Sequence, residues 1–350
     1  MPTDNSSTSC TFETSRSPAT RCAVLGLGTN GAYIAESLSL NGFELVAITA
    51  THGEEARLVD LQRHPLLGQK VIGRDELLKR RDLDWLVVTS PLATRAADTR
   101  AAIDAGFNVL IEAPLAASFG ETKTLLELAK KANRACLAWV GPRDDSDFRQ
   151  AWSVRQSGQL GRLRSAVFTL RQAAASGLPA TCSAADSANS ATVDLLTTFG
   201  WRYFDQLLRL IDQPIVRVFG VVNCGQLCFD SLASCGAQSE QECGFLAVIE
   251  FADGCVAQIE IDLASSTTVS PQWLLQGDRG GYVKGKQSCL ERDGEIYEVD
   301  IATESREPFE ELRAPTESVA LEVQHLVRVA GLIEAVRESS RFRDVKRFEI

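Results

Sequence analysis

The sequence predicts an α/β fold in two parts, a doubly wound parallel sheet at the N-terminus and an α+β domain with an open, mainly antiparallel sheet at the C-terminus. Three observations lead to this prediction. A glycine turn, GLGTNG at 26–31, joins a short apolar run to a helical pattern. Short apolar runs then alternate with helical patterns up to about residue 141, and signals for paired strands dominate beyond it.

We divide the chain accordingly, because 350 residues exceed the usual size of a single domain. Residues 1–20 are rich in Ser and Thr and lack periodicity, so we expect a disordered tail there. Residues 21–141 are predicted to form a dinucleotide-binding domain. Residues 142–350 are predicted to form a domain for substrate binding and oligomerisation.

The opening unit has the order of strand, glycine turn and helix that a diphosphate requires. An apolar run at 22–25 precedes the turn, Ile34 and Leu38 share one face of the next helix, and a second apolar run follows at 43–49. One glycine permits the tight bend, the next lets backbone approach phosphate oxygens, and the third lets the helix pack on the strand. The residues predicted to surround the diphosphate are Gly26, Gly28, Thr29, Asn30 and Gly31. The alternative is the same fold without the ligand.

The rest of the first domain repeats this alternation. Helical patterns occur at 54–64, from 75, at 93–105 and from 118, and apolar runs occur at 71–72, 85–89, 108–113 and 136–141. Ser118 and Glu121 form a capping box at the start of one helix. Such spacing gives a parallel sheet with helices on both faces, and its ligands bind at the carboxyl ends of the strands. Four further nucleotide contacts are therefore predicted: Thr51, Ser90, Pro91 and Glu112.

Strand signals dominate the second domain after one helix at 148–156. They occur at 163–170, 216–223, 245–251 and 255–263, with weaker ones at 282–283 and 295–301, and Ala252-Asp253-Gly254 predicts a hairpin turn. Helices are predicted at 193–211 and 318–338, and a Ser/Ala-rich loop at 173–192. We expect both helices to cover one face of the sheet. The other face would then be free to build a homo-oligomer.

Composition excludes several classes of function. The net charge of −10 argues against nucleic acid and anionic membranes as partners, and no apolar stretch is long enough to span a bilayer. No apolar export signal opens the chain, so we expect a cytoplasmic protein whose ten cysteines are reduced. Cys224, Cys228, Cys235 and Cys243 lack the paired close spacing of a structural zinc site, and no metal is expected.

Three segments carry a resemblance to a known family. They are Ser90-Pro91-Leu92-Ala93-Thr94, the run GFNVLIEAPL at 106–115, and SGQLG at 157–161. With the glycine turn, they make the chain after the tail similar to the glucose–fructose oxidoreductase / inositol dehydrogenase (Gfo/Idh/MocA) family. The resemblance implies an N-terminal Rossmann domain, an open sheet through which members often assemble, and hydride transfer between NAD or NADP and a sugar, polyol or related small molecule.

The chain differs from this family at positions that correspond to its catalytic residues. In the family the strand before the proline ends Glu-Lys-Pro, and the lysine assists proton transfer; here the residues are Glu112, Ala113 and Pro114. A family helix carries an aspartate, a histidine four residues later, and a second aspartate three residues after that. If Asp205 takes the last of these positions, Thr198 stands at the first acid and Arg202 at the histidine.

These replacements matter because oxidising a hydroxyl requires a group to take its proton as hydride leaves. Alanine cannot do so, threonine does so poorly, and arginine stays protonated. Arg202 is instead suited to bind an anionic substrate through its planar fork, or to form an ion pair with Asp205 or Asp194. Tyr203 is an alternative acid, although packing is the simpler role for it.

The sequence therefore leaves two functions open: an active NAD(P)-dependent oxidoreductase that uses other groups for proton transfer, and a catalytically inactive nucleotide-binding or regulatory homologue. It also leaves NAD and NADP open. NAD-binding proteins usually have an acid at the end of the second strand that binds the ribose hydroxyls, but this strand ends at Ala50-Thr51-His52. Glu54 and Glu55 lie slightly beyond that position in the sequence. Arg57 is the one cation nearby that could bind a 2′-phosphate.

Overall fold

The computed structural model describes residues 19–27, 30–50, 63, 67, 70–141, 145–173, 194–225, 241–284, 286–290, 296–299, 309–313 and 316–348. The predicted tail up to residue 18, the helix at 54–64 and nearly all of the loop at 173–192 lie outside these residues. No helix within the described part of the chain is long and apolar enough to cross a membrane.

The first domain is a parallel five-stranded sheet in the order β2-β1-β3-β4-β5. Its strands are β1 Arg21–Leu25, β2 Glu44–Thr49, β3 Trp85–Val88, β4 Asn108–Glu112 and β5 Cys136–Trp139. Its helices are α1 Gly31–Leu40, α2 Arg74–Lys79, α3 Leu92–Asp104 and α4 Phe119–Lys131. The chain winds outward from β1 to β2 and then returns to β3 on the other side of β1. This reversal between β1 and β3 is the point at which doubly wound sheets bind ligands.

Local signals set several of these boundaries as predicted. Every residue of β3 is buried, as its unbroken apolar run requires in a sheet covered on both faces. The capping box is confirmed, because Ser118 Oγ accepts a hydrogen bond from the Glu121 backbone N–H at 3.2 Å. The strand predicted at 71–72 is reduced to a single bridge between Val71 and Ile48.

The second domain is a mixed, mostly antiparallel sheet in the order β13-β12-β11-β10-β6-β9-β8-β7-β14. Its strands are β6 Leu163–Ala173, β7 Ile215–Gly225, β8 Gln241–Phe251, β9 Val256–Ser265, β10 Val269–Gly277, β11 Gly280–Val283, β12 Lys286–Leu290, β13 Ile296–Val299 and β14 Lys346–Arg347. The hairpin predicted around Gly254 joins β8 to β9, and one parallel pair, β6 with β9, lies at the centre. Strands β10, β12 and β14 are additions to the predicted set.

Three helices accompany this sheet: α5 Ser146–Gln156, α6 Leu195–Leu210 and α7 Thr316–Phe342. Helix α7 packs on β7 and α6 and also reaches α4 and β5 of the first domain. Gly220 on β7 permits this approach, since a Cβ there would lie 2.7 Å from the carbonyl oxygen of Val336. As predicted, α6 and α7 lie on one face of the sheet.

Along each strand, residues on the opposite face of the sheet alternate with core residues, and this opposite face is partly exposed. Along β9, Ala257, Ile259 and Ile261 are buried, whereas the residues between them are half-buried. Strand pairing aligns one row of that second face across six strands. The row consists of Phe219, Val248, Gln258, Val167, Leu274 and Val283. This row is largely apolar, and Leu274 and Val283 are 36% and 42% exposed.

One C-terminal segment returns to the first domain. Phe309 and Leu312 are buried in a cluster with Phe43, and the Arg313 guanidinium lies over the Phe43 ring and donates to the carbonyl of Asn41. The division at residue 141 stays a prediction, and these contacts add that the chain after it also supports the first sheet.

Candidate active site

The glycine turn is fixed by the strands on both sides of it. The Gly26 N–H donates to the carbonyl of Thr49 at 2.8 Å, and Thr89 Oγ1 donates to the carbonyl of Gly26 at 2.8 Å. Thr49 ends β2 and Thr89 follows β3. The turn therefore lies at the carboxyl edge of the sheet, at the reversal between β1 and β3.

The turn has no room for side chains at two of its glycines. Gly26 has φ +103°, and a Cβ on it would lie 2.4 Å from the backbone nitrogen of Ser90. A Cβ on Gly31 would lie 2.7 Å from the carbonyl oxygen of Gly26. Glycine is thus required at both positions for the close approach of turn, strand and helix. Gly28, Thr29 and Thr51 lie outside the described residues.

The N-terminus of α1 is left open to an anion. Asn30 is its N-cap residue, but the Asn30 side chain does not cap the helix, and no acid occupies the first turn. Asn30 Nδ2 instead donates to Glu112 Oε1 at 2.6 Å, which joins the glycine turn to the end of β4. An uncapped helix N-terminus provides N–H groups and a positive dipole to a phosphate.

Glu112 is held in the core by an arginine that the sequence analysis did not single out. Arg95 Nη2 lies 3.1 Å from Glu112 Oε2, and the two residues are 2% and 4% exposed. The same guanidinium donates to the backbone carbonyls of Ser90, Glu112 and Pro114. Arg95 therefore joins the ends of β3 and β4. Its burial depends on carbonyls that are distant in sequence, so periodicity could not reveal it.

Ser90 contributes a further feature of this edge. Its hydroxyl is fully buried and has no hydrogen-bond partner among the residues that the structure describes. Buried polar atoms are usually satisfied, so a bound group that completes this bond is a physical explanation for it. Pro91, the N-cap residue of α3, follows directly. The two tight glycines, the open start of α1 and the Ser90 hydroxyl together fit a dinucleotide.

The three positions that the sequence analysis compares with the family's catalytic residues lie on two elements. Ala113 is half-buried, follows β4, and forms a cis peptide bond with Pro114. Thr198 and Arg202 lie one turn apart on α6 and are both half-buried, on a helix whose other residues are buried except for Arg209. Tyr203 stacks on Phe168 at 4.0 Å and therefore has the packing role.

A cavity of about 190 Å³ joins these two elements. Thr197 and Trp201 of α6 line one side, and Ala116, Ala117, Ser118 and Phe119, which closely follow Pro114, line another. Successive helix residues are about 100° apart around the axis. Thr198 and Arg202 therefore lie on the face of α6 next to the one that meets this loop.

Helix α7 holds α6 in this position at both ends. Arg337 Nη2 donates to both carboxylate oxygens of Asp194 and to Thr197 Oγ1, each at 2.9 Å. Its Nη1 lies 3.3 Å from Glu242, whose other oxygen accepts from the Leu196 N–H. Burial raises the pKa of Glu242. This cluster fixes the first turn of α6, one turn before Arg202.

Further along α6, Asp205 Oδ1 lies 2.9 Å from His325 Nε2 on α7, and Arg209 bridges Asp205 and Glu322. His325 is the one histidine within the described ranges, and its pairing follows from the antiparallel packing of α6 and α7. The ion pair considered between Arg202 and Asp205 or Asp194 does not form, because other cations take both acids.

Two of the four cysteines considered for a metal site lie within the described residues. Cys224 lies on β7 and Cys243 on β8, where Cys243 Sγ donates to the Asn223 carbonyl; Cys228 and Cys235 lie outside the described residues. Burial raises the pKa of Cys22 and of Cys136 to about 12, which keeps both thiols protonated and unreactive. No group of three potential metal ligands occurs in the part of the chain that the structure covers.

Comparisons with known proteins agree with this architecture. The chain is 29% identical over 146 residues to scyllo-inositol 2-dehydrogenase (NAD(+)) of Bacillus subtilis, which covers 41% of this chain and 42% of that protein. It spans less than half the length of the curated relatives that it matches. Solved structures match more fully. A Bacillus subtilis protein described as an oxidoreductase, YvaA, has a TM-score of 0.75 at 17% identity and covers 95% of this chain and 99% of its own.

A second solved structure has a similar fold. It is an oxidoreductase from Agrobacterium radiobacter in complex with NAD+, L-tartaric acid and magnesium, with a TM-score of 0.73 at 12% identity and coverage of 95% and 99%. Residues 20–140 match the model of an oxidoreductase family with an NAD-binding Rossmann fold, GFO_IDH_MocA. The N-terminal domain of this chain therefore matches the NAD-binding Rossmann domain of the Gfo/Idh/MocA oxidoreductase family.

Proposed function

We propose that this protein binds NAD(H) or NADP(H) and is an NAD(P)-dependent oxidoreductase acting on a small hydroxylated molecule, without the lysine and histidine that its family uses. The observation that carries the proposal is the carboxyl edge of the first sheet. There Gly26 and Gly31 leave room only for backbone, and the buried Ser90 hydroxyl has no partner among the described residues.

The residues of this edge have distinct roles in the proposal. The open N-terminus of α1 holds the diphosphate, with Gly28 and Thr29 of the same turn. Ser90 and Pro91 border the ribose and nicotinamide at the end of β3, and Thr51 borders the adenosine ribose at the end of β2. Glu112, fixed by Asn30 and Arg95, forms part of the floor of the site. When bound, the nicotinamide accepts or donates hydride.

The substrate lies, in this proposal, between Ala113 and the half-buried face of α6 that carries Thr198 and Arg202. None of these three residues is suited to take a proton from a hydroxyl. This supports a second candidate, a nucleotide-binding homologue without turnover. The two candidates share the nucleotide site and differ in whether another group supplies the proton.

We further propose that copies of this chain associate through the partly exposed sheet face. Its central row of Phe219, Val248, Val167, Leu274 and Val283 is apolar apart from Gln258, and an apolar row in solvent favours association.

Calorimetric titration with NAD+, NADH, NADP+ and NADPH tests the nucleotide proposal. We expect heat and a thermal shift with at least one of the four. Gly28→Val should remove binding, because a branched side chain blocks the backbone from the diphosphate. Gly120→Val is a matched control, since Gly120 lies in the open with nothing within 4 Å. Absence of binding to all four nucleotides would overturn the proposal.

A further inference from the structure

Arg202 is a half-buried guanidinium without a partner among the residues that the structure describes. Its own helix shows that this is unusual. The other arginine of α6, Arg209, pairs with Asp205 at 3.2 Å and with Glu322 at 2.8 Å. A guanidinium that is partly removed from water normally requires acceptors for its five donors.

The acids that could pair with Arg202 are engaged elsewhere. Asp194, two turns before it, is bound by Arg337, and Asp205, three residues after it, is bound by Arg209 and His325. The chain carries a net charge of −10, so carboxylates are abundant, yet none of those described lies within ion-pair distance of Arg202. Within the described ranges, Arg202 therefore has no counter-ion, whereas Arg209 on the same helix has two.

Arg202 directly follows Trp201, a residue of α6 that lines the cavity beside the proposed substrate position. Thr197 and Trp201 line the cavity shared with residues 116–119, and Arg202 lies on the adjacent face of α6. That loop begins just after Ala113 and Pro114, at the carboxyl end of β4. The first turn of α6 is held by Arg337, and Tyr203 is stacked on Phe168, so the backbone that presents Arg202 is rigid.

From these observations we infer that Arg202 binds the carboxylate of an anionic substrate, a small hydroxy acid, rather than a neutral sugar or polyol. The inference rests on the proposed function and adds the class of substrate. A planar guanidinium matches a carboxylate through two parallel hydrogen bonds, and such charge-assisted bonds are stronger than neutral ones. The hydroxyl of the same molecule would then face Ala113 and the nicotinamide position.

A pair of matched probes tests the inference. Tartronate and glycerol share a three-carbon skeleton with a central hydroxyl and differ in having carboxylates or hydroxymethyl groups at the ends. Each is titrated into the protein by calorimetry, with and without saturating NADH, and NADH binding is measured separately. We expect tartronate to bind at least about tenfold more tightly than glycerol.

Variants assign this preference to the guanidinium. Arg202→Gln should weaken tartronate binding by about tenfold or more and leave NADH binding unchanged, and Arg202→Lys should retain part of the affinity, since it keeps the charge but not the fork. Arg80→Gln removes the same charge from the surface pair of Arg80 and Asp82, after α2, and should leave tartronate and NADH binding unchanged. Far-UV circular dichroism confirms that each variant is folded.

The outcomes separate this inference from the proposed function. Equal tartronate affinity in the native protein and in Arg202→Gln, or equal binding of glycerol and tartronate, would overturn the inference even if NADH binds. Failure of NADH to bind, with tartronate binding that still depends on Arg202, would overturn the nucleotide proposal and leave the anion site standing.

Discussion

Arg95 Nη1 donates a hydrogen bond to the carbonyl oxygen of Pro114 at 2.7 Å. A buried arginine on α3 is thus linked to the segment that follows the carboxyl end of β4. The same side chain forms a buried ion pair with Glu112. In such an arrangement the desolvation of two charges offsets much of their attraction, but removal of one partner leaves a buried charge behind. Removing one partner is therefore expected to lower the free energy of unfolding by more than the intact pair contributes to it.

We predict that Arg95→Met lowers the free energy of unfolding by about 3–5 kcal/mol, because Glu112 stays buried without its cation. Urea denaturation measures this loss. Arg80→Met is the control, because Arg80 pairs with Asp82 at the surface and breaking a solvent-exposed pair costs far less than breaking a buried one. Similar losses in both variants would contradict the role given to burial.

Gly26 and Gly106 provide a matched comparison at the glycine turn. Both have positive φ, +103° and +92°, but a Cβ on Gly26 meets Ser90 at 2.4 Å, whereas a Cβ on Gly106 meets nothing within 4 Å. Gly106→Ala should cost only the backbone strain of about 1–2 kcal/mol. Gly26→Ala adds a clash with backbone and should also abolish nucleotide binding. Thermal shift and nucleotide titration check both, and unchanged binding by Gly26→Ala would contradict the geometry.

The sequence predicted the first sheet well because its signals are local. Each strand is a short apolar run, and each helix has its own period and caps, as Ser118 shows. Strand β10 escaped prediction for an equally physical reason. Pro271 interrupts its pattern, and the sheet accommodates the proline by a register shift between Val269 and Gln272.

The site was predicted only in part. The glycines and Glu112 belong to motifs, so their residue types identify them. Arg95 and His325 become meaningful only through contacts with residues that are distant in sequence, such as Asp205, 120 residues from His325. The sequence left Arg202 with two roles, an ion pair or a substrate contact. In the structure Asp194 pairs with Arg337 and Asp205 pairs with Arg209, so Arg202 forms an ion pair with neither acid.

Asp147 should make stability depend on pH. It is 5% exposed, and burial raises the pKa of its carboxyl above the ordinary value of 3.8, although Tyr282 Oη and the Trp273 N–H donate to it. Above pH 3.8 the unfolded chain releases this proton while the folded state retains it up to its higher pKa. The stability that this group contributes is therefore fully present below pH 3.8, and it is lost as the pH rises from 3.8 to the higher pKa of the folded state.

Asp147→Asn removes this titration with little change in shape. We predict that the free energy of unfolding of the variant decreases less between about pH 4 and pH 7 than that of the native protein. Urea denaturation of both proteins across this range gives the difference, and groups such as Glu242 that titrate in both cancel. A difference that is constant with pH, or that changes in the opposite direction, would contradict the prediction.

Association through the sheet face should be sensitive to charge. Leu274→Glu places a carboxylate in the apolar row, between Val167 and Val283. If copies pack through this face, we expect light scattering to give an oligomer for the native protein and a smaller species for the variant. Val345→Glu, at a position 49% exposed beyond α7, should not change the mass. A monomeric native protein would contradict the prediction.

Turnover on sugars and polyols should be absent, or lower than that of relatives with intact motifs by at least the acid–base factor of about 10². This follows from our proposal that Ala113, Thr198 and Arg202 occupy the positions of a lysine, an acid and a histidine in relatives, since none of the three is suited to take a proton from a hydroxyl. Ala113→Lys combined with Thr198→Asp and Arg202→His should raise polyol oxidation, measured as nicotinamide reduction across a substrate panel with both cofactors. A control that carries Ala132→Lys in place of Ala113→Lys positions the amine at an exposed site at the C-terminal end of α4, and it should gain nothing. Rapid polyol turnover by the native protein would show instead that another residue takes the proton, and the Asp205–His325 pair on α6 and α7 would be the first to replace.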